Sequence, residues 1–289
     1  MRSSDTISEK IRIIETNIVN INEIVEKHIE SLSYPMDSWL EDRLLGSLIY
    51  KFMNEDDCIG YAGQIEETLQ FFYVQQEYFK YAPTILEKVI EEKAIKRVLV
   101  ITQDSLLSAL IAEWDYEKEK LACWFTDSGR VENFDAQATD AVFSAAEQKD
   151  AQRIREISGD FFDEVSGGFN CLEERIEAGT IFVLEDREGL LGTGIVEKSQ
   201  FCHVVSIGMY AAPKHRKKGA AKTVLLNLKE WAYKNNLKPV AGCWYYNTLS
   251  RKSLESAGMI ATSIGYEAIL KGKEKLPLRT GNPPGELVE

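Results

Sequence analysis

VVSIGMYAAPKHRKKGAAK, residues 204–222, decides how the rest of the chain is read. Val205, Ile207 and Met209 alternate with Val204, Ser206, Gly208 and Tyr210, the two-residue period of a strand. Pro213 ends that strand, and Lys214, His215, Arg216, Lys217 and Lys218 follow without a break, in a chain whose formal net charge is −12. Gly219-Ala220-Ala221 then opens a helix whose apolar positions, Ala221, Val224, Leu225, Leu228 and Ala232, fall at helical spacing. A helix N-terminus leaves four N–H groups unpaired and carries a partial positive charge. Small residues there let a ligand approach the backbone. Strand, basic cluster and small-residue helix start together predict a pocket for a polyanion, a pyrophosphate above all. A solvated basic face is the alternative, and the position of the run between a buried strand and an amphipathic helix weighs against it.

Arg216-x-x-Gly219-x-Ala221 resembles the Arg/Gln-x-x-Gly-x-Gly/Ala signature of the GCN5-related N-acetyltransferases, the GNAT family. Asn247, Ser250 and Gly258-Met259 are similar to that family's next signature, in the right order and spacing. The resemblance covers residues 139–271. It implies an α/β fold of the GNAT type, a mixed and mostly antiparallel sheet flanked by helices, with acetyl-CoA as co-substrate and no metal. By the same resemblance Met209, Tyr210 and Ala211 would hold the pantetheine arm through their backbone. Arg216, Lys218, Gly219 and Ala221 would hold the phosphates, with Lys217 and Ala220 in the same loop and Lys217 adding field. Asn247 and Ser250 would meet the cofactor arm.

One position departs from the family. Many members carry a tyrosine seven residues after the asparagine, as general acid for the thiolate, and this chain has Leu254 there. Either turnover is lost or no dedicated acid is needed. A thiol pKa of about 8.5 makes thiolate a tolerable leaving group, and general acid catalysis is worth roughly 10²–10⁴-fold, which is less than the whole rate. Tyr245 and Tyr246 stand nearby as substitutes. For the base that must deprotonate an alkyl ammonium, Glu197 on the neighbouring strand is the first candidate, against the plainer reading of a solvated strand-end carboxylate. Glu164, Glu174 and His203 are the alternatives.

The composition bounds the rest. A chain of 289 residues holds two domains or one large one, and 44% apolar with 28% charged residues is ordinary for a soluble protein. The acidic balance argues against nucleic acid as a partner and suits a cationic small substrate. Five cysteines show no metal-ligand rhythm and fit reduced thiols in a cytoplasmic protein; no apolar run suggests a membrane span. A monomer and a homodimer are both open.

Residues 1–135 are expected to form a helix-rich domain with a small sheet. Ile7, Ile11, Ile14, Ile18, Ile21, Val25, His28 and Leu32 follow heptad spacing and predict a helix over 5–33, with a second over 37–53. The aromatics of 62–80 read as core. Residues 84–93 read as helix and 97–102 as strand, and 106–114 with 120–126 as a hairpin, against a competing helix over 105–114. Leu86-Glu87-x-x-Ile90-Glu91 before a strand echoes Leu172-Glu173-x-x-Ile176-Glu177, which hints that the first half is a degenerate GNAT-like lobe without a phosphate loop. Residues 131–140 read as linker. The domain at 139–275 should then run strand 141–146, helices 149–163 and 170–178, strands 180–186 and 190–198, the opening stretch, strand 239–245, helix 248–257 and a strand pair within 259–271. Residues 276–289 form a proline-rich flexible tail. The function expected is N-acetyl transfer from acetyl-CoA to the primary amine of a small molecule. The rival is an acyl-CoA-binding module without turnover, and a thiol-release assay separates the two.

Overall fold

Runs of β-branched and aromatic residues carry the chain into one extended sheet. The computed structural model describes residues 10–114, 116–131, 140–163 and 168–270. The N-terminal half comprises β1 (Arg12–Thr16), α1 (Asn22–Ser31), α2 (Ser38–Leu45), β2 (Leu48–Asn54), β3 (Asp57–Ile65), β4 (Thr68–Val74), α3 (Ala82–Glu92), β5 (Arg97–Ile101), α4 (Ser105–Ala112) and β6 (Glu117–Asp127). The C-terminal half repeats the plan with β7 (Val142–Ala145), α5 (Ala151–Ser158), α6 (Leu172–Glu177), β8 (Ile181–Asp186), β9 (Gly189–Lys198), β10 (Val204–Ala211), α7 (Ala220–Lys234), β11 (Lys238–Trp244), α8 (Thr248–Ser256) and β12 (Met259–Ile269).

The sheet order is β1-β2-β3-β4-β5-β12-β6-β11-β10-β9-β8-β7. Each half therefore completes its sheet with the last strand of the other. β12 pairs β5 across five residues and β6 across ten, while β6 reaches over to β11. All pairings are antiparallel except two, β4 with β5 and β10 with β11, which sit at matching places in the two halves. α3 covers one face of the first lobe (Ile85, Leu86, Val89 against Val98 and Val100), and α7 covers the same face of the second (Val224, Leu225, Leu228 against Val205 and Ile207).

Several expectations are corrected. The heptad isoleucines do not form one helix over 5–33: residues 12–16 are a strand, a 3-10 turn spans Ile18–Ile21, and the helix starts only at Asn22. Ile11, buried to 1%, lies in the first lobe's core and Ile13 packs against it, whereas Val19 is 79% exposed, so a helical stripe has no face to serve. The 37–53 helix stops at Leu45 before Gly46, and Leu48–Asn54 is a strand. The hairpin over 106–114 is replaced by α4, capped by Asp104, whose carboxylate accepts from the Leu107 N–H. The final strand pair is one eleven-residue strand. Gly265 marks no turn there; a side chain at that position would sit 2.5 Å from the Trp124 ring. With six strands among the described residues, the first half carries a sheet as large as that of the second rather than a small one. Most of the 131–140 linker and all of the 276–289 tail lie outside the described residues.

The two halves are pinned where the exchanged strands end. Lys229 of α7, 1% exposed, pairs with Asp127 at the end of β6 (2.7 Å) and donates to the carbonyls of Gly129 (2.8 Å) and Ala257 (2.7 Å). Tyr233, one turn on, donates to the other oxygen of Asp127 (2.6 Å). Breaking a buried pair by removing one partner leaves an uncompensated charge, which costs about 3–5 kcal/mol. Lys229→Ala should lose stability of that order in urea unfolding followed by circular dichroism. A loss below about 1 kcal/mol would show that the pin contributes little.

Candidate functional site

Parallel pairing between β10 and β11 lasts for three residues, Val204↔Lys238, Val205↔Pro239 and Ser206↔Val240. Beyond that point β10 stays paired to β9 through Ala211, and β11 stays paired to β6 through Trp244, but the two are no longer bonded to each other. A wedge opens between them, and the next residues in register across it on the face of Ser206 and Val240 are Gly208 and Gly242. Ile207, Met209 and Ala211 turn their side chains towards α7, while Tyr210 packs on the α5–α6 side. What β10 offers the wedge beyond Ser206 is mainly backbone.

β10 ends in the basic loop. Pro213–His215 makes one 3-10 turn, and Gly219 caps α7 with φ +91°, a left-handed conformation natural only to glycine, with open space where a side chain would stand. The first bond of the following turn runs from the Thr223 N–H to the Gly219 carbonyl, so the N–H groups of Ala220, Ala221 and Lys222 have no partner within the helix. Lys214, Arg216, Lys217 and Lys218 are exposed around them, but His215 is turned inward and 7% exposed, which reduces the five-residue basic face to four. Arg216 lies back on the end of β10: its guanidinium is 5.5 Å from the Tyr210 ring centre, and Nη2 donates to the Tyr210 hydroxyl (3.1 Å). Ala220 packs its methyl into the core, so only its backbone faces the loop. Unpaired amides, a left-handed glycine and four cations above an open wedge fit the diphosphate and arm of an acyl-CoA.

Asn247 caps α8, its Oδ1 accepting from the Ser250 N–H (3.1 Å), which leaves Nδ2 to donate to a ligand. Leu254 is 3% exposed in the core beneath α8, so no polar group occupies that position. Tyr246 is 77% exposed and meets Tyr245 edge-on at 5.0 Å. The Tyr245 hydroxyl accepts from Lys120 Nζ (2.9 Å), which pulls its pKa below the ordinary tyrosine value. Glu197 is not a solvated strand end: 12% exposed, it pairs with the buried Arg175 (2.6 Å) and accepts from the Ser38 hydroxyl (2.6 Å). Glu174 holds the Asn170 N–H (2.9 Å), His203 is exposed ahead of β10, and Glu164 lies outside the described residues.

The sequence reading missed what the first lobe brings to the wedge. The N-terminus of α2 sits on it: the Ser38 N–H donates to the Ser206 hydroxyl (2.7 Å) at the last bonded pair of β10 and β11. Asp37 caps α2, its Oδ1 accepting from the Leu40 N–H (3.1 Å), and a side chain on Gly242 would come within 2.6 Å of its Oδ2. Asp37 is 6% exposed, and burial, helped by the nearby Glu197 and Glu41 carboxylates, pushes its pKa up to about 6. Trp39 of α2 packs against Trp124 (5.9 Å) and Trp244 (6.3 Å), and Tyr210 against Phe161 (5.5 Å), so aromatic rings flank the opening on this face. Behind Ser38 and Glu197 lies a pocket of about 320 Å³, also lined by Glu41, Asp42, Phe169 and Trp231. Arg155 fixes α6 beside it, bonded to both oxygens of Asp163 (2.7 and 2.9 Å) and to Glu173. The local signal was present, since Asp37-Ser38 followed by Glu41 marks a helix start, but nothing local tells where that start points.

The matching place in the first lobe is closed. β4 and β5 also part after two pairs, yet Phe72 and Val100 are buried in the core on one face and Phe71 and Leu99 in the core on the other. The cavity left beside Gln70, Phe71, Leu99 and Ile101 is only about 20 Å³. The loop before α3 reads Gln75–Tyr81 with one lysine, one glutamate and no glycine. α3 is thus the counterpart of α7 and not of α6, so the internal echo is real but the register read from the charged helices is wrong.

Two family models match: an acetyltransferase (GNAT) domain over residues 17–128 and the acetyltransferase (GNAT) family over 143–259. Among solved structures, a GNAT-family acetyltransferase from Colwellia psychrerythraea superposes with a TM-score of 0.75 at 17% identity, over 91% of this chain and all of that one. A GCN5-related N-acetyltransferase from Sphaerobacter thermophilus gives 0.58 at 12% identity, over 90% and 96%. A tandem GNAT protein of clavulanic acid biosynthesis gives 0.55 at 10%, over 90% and 98%. No curated protein matches the sequence. At these identities the likeness is one of fold.

The buried carboxyl has a consequence for stability. Its folded pKa of about 6 lies above the unfolded value of 3.8, so the folded state binds the proton more tightly and loses stability as pH rises from about 4 to 6. Asn caps a helix as well as Asp. Asp37→Asn should therefore gain stability relative to wild type as pH rises from 4 to 7, by up to about 3 kcal/mol at 1.36 kcal/mol per unit. Urea unfolding at several pH values checks this; a difference that does not vary with pH would contradict the assignment.

Proposed function

Since the chain belongs to the GNAT acetyltransferase family, with one domain of it in each half, we propose that its C-terminal lobe moves an acetyl group from acetyl-CoA to the primary amine of a small, cationic molecule. The observation that carries this reading is the wedge between β10 and β11, which opens straight into the glycine-capped, basic start of α7. On this reading Arg216, Lys218 and the N–H groups of Gly219, Ala220 and Ala221 hold the diphosphate, with Lys217 adding field. The backbone of Met209, Tyr210 and Ala211 lines the arm, and Asn247 donates to it while Ser250 completes the cap. A backbone N–H on β10 meets the oxyanion of the tetrahedral intermediate, where a fixed donor is worth most.

Carboxylates favour a cationic acceptor. Glu41, Asp42 and Glu197 outnumber Lys198 in the lining of the pocket beside the wedge, with Phe169 and Trp231 to cover an alkyl or ring portion. Tyr245, with its lowered pKa, is better suited than the exposed Tyr246 to hand a proton to the thiolate. Glu197, tied to Arg175, serves in ordering the acceptor side. The first lobe, with its filled opening and glycine-free loop, supports one wall of the acceptor cleft and binds no second cofactor.

Thiol release from acetyl-CoA against polyamines, aminoglycosides, amino acids and peptides tests the reading. Release with at least one small cationic amine is expected. Cofactor binding without release on any amine would favour a binding module, the reading that Leu254 supports. Arg216→Glu sets like charge against the diphosphate. It should weaken acetyl-CoA by at least about tenfold, since a charge-assisted bond is worth roughly 1.5–3 kcal/mol. Calorimetry should give one site per chain for wild type, and unchanged affinity in the variant would remove the loop from the account.

A further inference from the structure

We propose that the proton acceptor for the amine is supplied by the first lobe: Asp37, at the N-cap of α2, receives the proton of the acceptor ammonium at the root of the wedge. The inference rests on the reading above, that acetyl transfer to an amine occurs between β10 and β11.

Placement carries it. The last bonded pair of the ladder is Ser206↔Val240, and the next residue of β11 on the same face is Gly242. Asp37 Oδ2 stands over Gly242 so closely that a methyl group there would be 2.6 Å away. Gly242 and Gly208 put no side chain of β11 or β10 at the root of the wedge, so that Ile195 packs over Gly208 (2.8 Å from where a Cβ would stand) and Asp37 stands over Gly242, where a thioester lying along β10 would meet an acceptor coming from the α2 face. The carboxyl is held rather than mobile. Its Oδ1 is fixed by the Leu40 N–H, and the next residue, Ser38, is tied through N–H and hydroxyl to Ser206 and Glu197. The rings of Trp39 and Trp244 on one side and Tyr210 and Phe161 on the other flank the approach.

The groups facing Asp37 are Glu41 on its own helix, Glu197 on β9, the Ser206 hydroxyl on β10, and the Trp124 indole on β6 beside Gly242. Burial, with a smaller contribution from the two further carboxylates and against the Leu40 N–H and the Trp124 indole, raises its pKa to about 6, where a base is both ionised and effective at neutral pH. Glu197 differs in being committed to Arg175.

The step balances as follows. The ammonium gives one proton to the Asp37 carboxylate, and the freed nitrogen lone pair forms the C–N bond to the thioester carbonyl. Collapse of the tetrahedral adduct breaks the C–S bond, the nitrogen loses its second proton, and the thiolate takes one up. One proton is released to solvent when Asp37 ionises again.

The test compares wild type, Asp37→Asn and Glu197→Gln in thiol release from pH 5 to 9, with acetyl-CoA affinity by calorimetry. In wild type kcat/KM should fall below about pH 6, and this acid limb is separate from the ammonium ionisation near about 10.4. Asp37→Asn should lower kcat by roughly 10²-fold or more, abolish the limb, and leave acetyl-CoA affinity within about twofold. Glu197→Gln should keep the limb, and Gly242→Ala, which crowds Oδ2, should displace it. If Asp37→Asn keeps both its rate and its acid limb, Asp37 is not the acceptor, although the transferase reading stands. If wild type binds acetyl-CoA and releases no thiol with any amine, that earlier reading fails first and this one with it.

Discussion

Backbone hydrogen bonding between β6 and β12 is the constraint on which the other features depend. The two strands run antiparallel for ten paired residues, and each closes the sheet of the half that did not produce it. Neither half can complete its sheet alone, because β5 and β11 would each present an unpaired edge and a buried face without cover. The exchange makes the relation of the lobes a matter of register rather than of a loose interface. That register carries α2 onto the wedge of the second lobe, to within hydrogen-bond reach of Ser206 and Glu197. The Lys229–Asp127 pair then locks the far ends of the exchanged strands.

How legible each part was in the sequence follows from where its information lies. The loop at 213–221 was readable because charge, glycine and helix start are adjacent in the chain, and the flanking strand and helix are patterned by their own periods. The second lobe's order of elements followed for the same reason. The first lobe was misread where one pattern suits two structures. Isoleucines spaced by three and four over residues 7–32 also place Ile11 and Ile13 two apart, and the β-branched option won because β2 offers a partner edge for residues 12–16. Leu48–Met53 was absorbed into a helix whose stop signal, Gly46, is a single residue. A strand pair was expected within 259–271, but Met259–Ile269 is one strand, and the role of Gly265 inside it, making room for Trp124, involves a residue 141 positions earlier. Asp37 was illegible for a stronger reason. A capping aspartate becomes a group of unusual proton affinity only through burial against β11, and neither its burial nor its neighbours Glu197 and Glu41 can be read from Met36-Asp37-Ser38.

One plan used twice shows what a competent lobe requires beyond the plan. Both lobes part a parallel pair after two or three residues and start a helix beyond. The first buries Phe71, Phe72, Leu99 and Val100 on the two faces beside the gap and starts α3 with a proline in its first turn, after a loop without glycine and with a single lysine. The second keeps glycines at 208 and 242 and a left-handed glycine at 219. Apolar filling stabilises a lobe, at roughly 1.5–3 kcal/mol for each large side chain buried, whereas an empty wedge forgoes that gain. The first lobe is therefore built for rigidity and the second for occupancy.

The same trade recurs at atomic scale in Asp37. A carboxyl with a folded pKa near 6 is less stable buried and ionised than it would be in water, and Asn would cap α2 without that cost. Capping alone therefore does not account for an acid at this position. Nor does pairing: the Arg175 guanidinium that serves Glu197 compensates a different carboxylate, and Glu41 is bonded to Ser199 and the Gln200 N–H instead. Three carboxylates are gathered at one end of the wedge; Glu197 has a cation and Glu41 two donors, whereas for Asp37 burial outweighs the Leu40 N–H and the Trp124 indole, which favour its ionised form. Asp37, with Gly242 cleared before it and its proton affinity raised by burial and, to a smaller extent, by the other two, is the one whose arrangement makes physical sense for holding a proton in transit. Its burial, its glycine and its neighbours all exist only because the exchanged strands fix one lobe against the other.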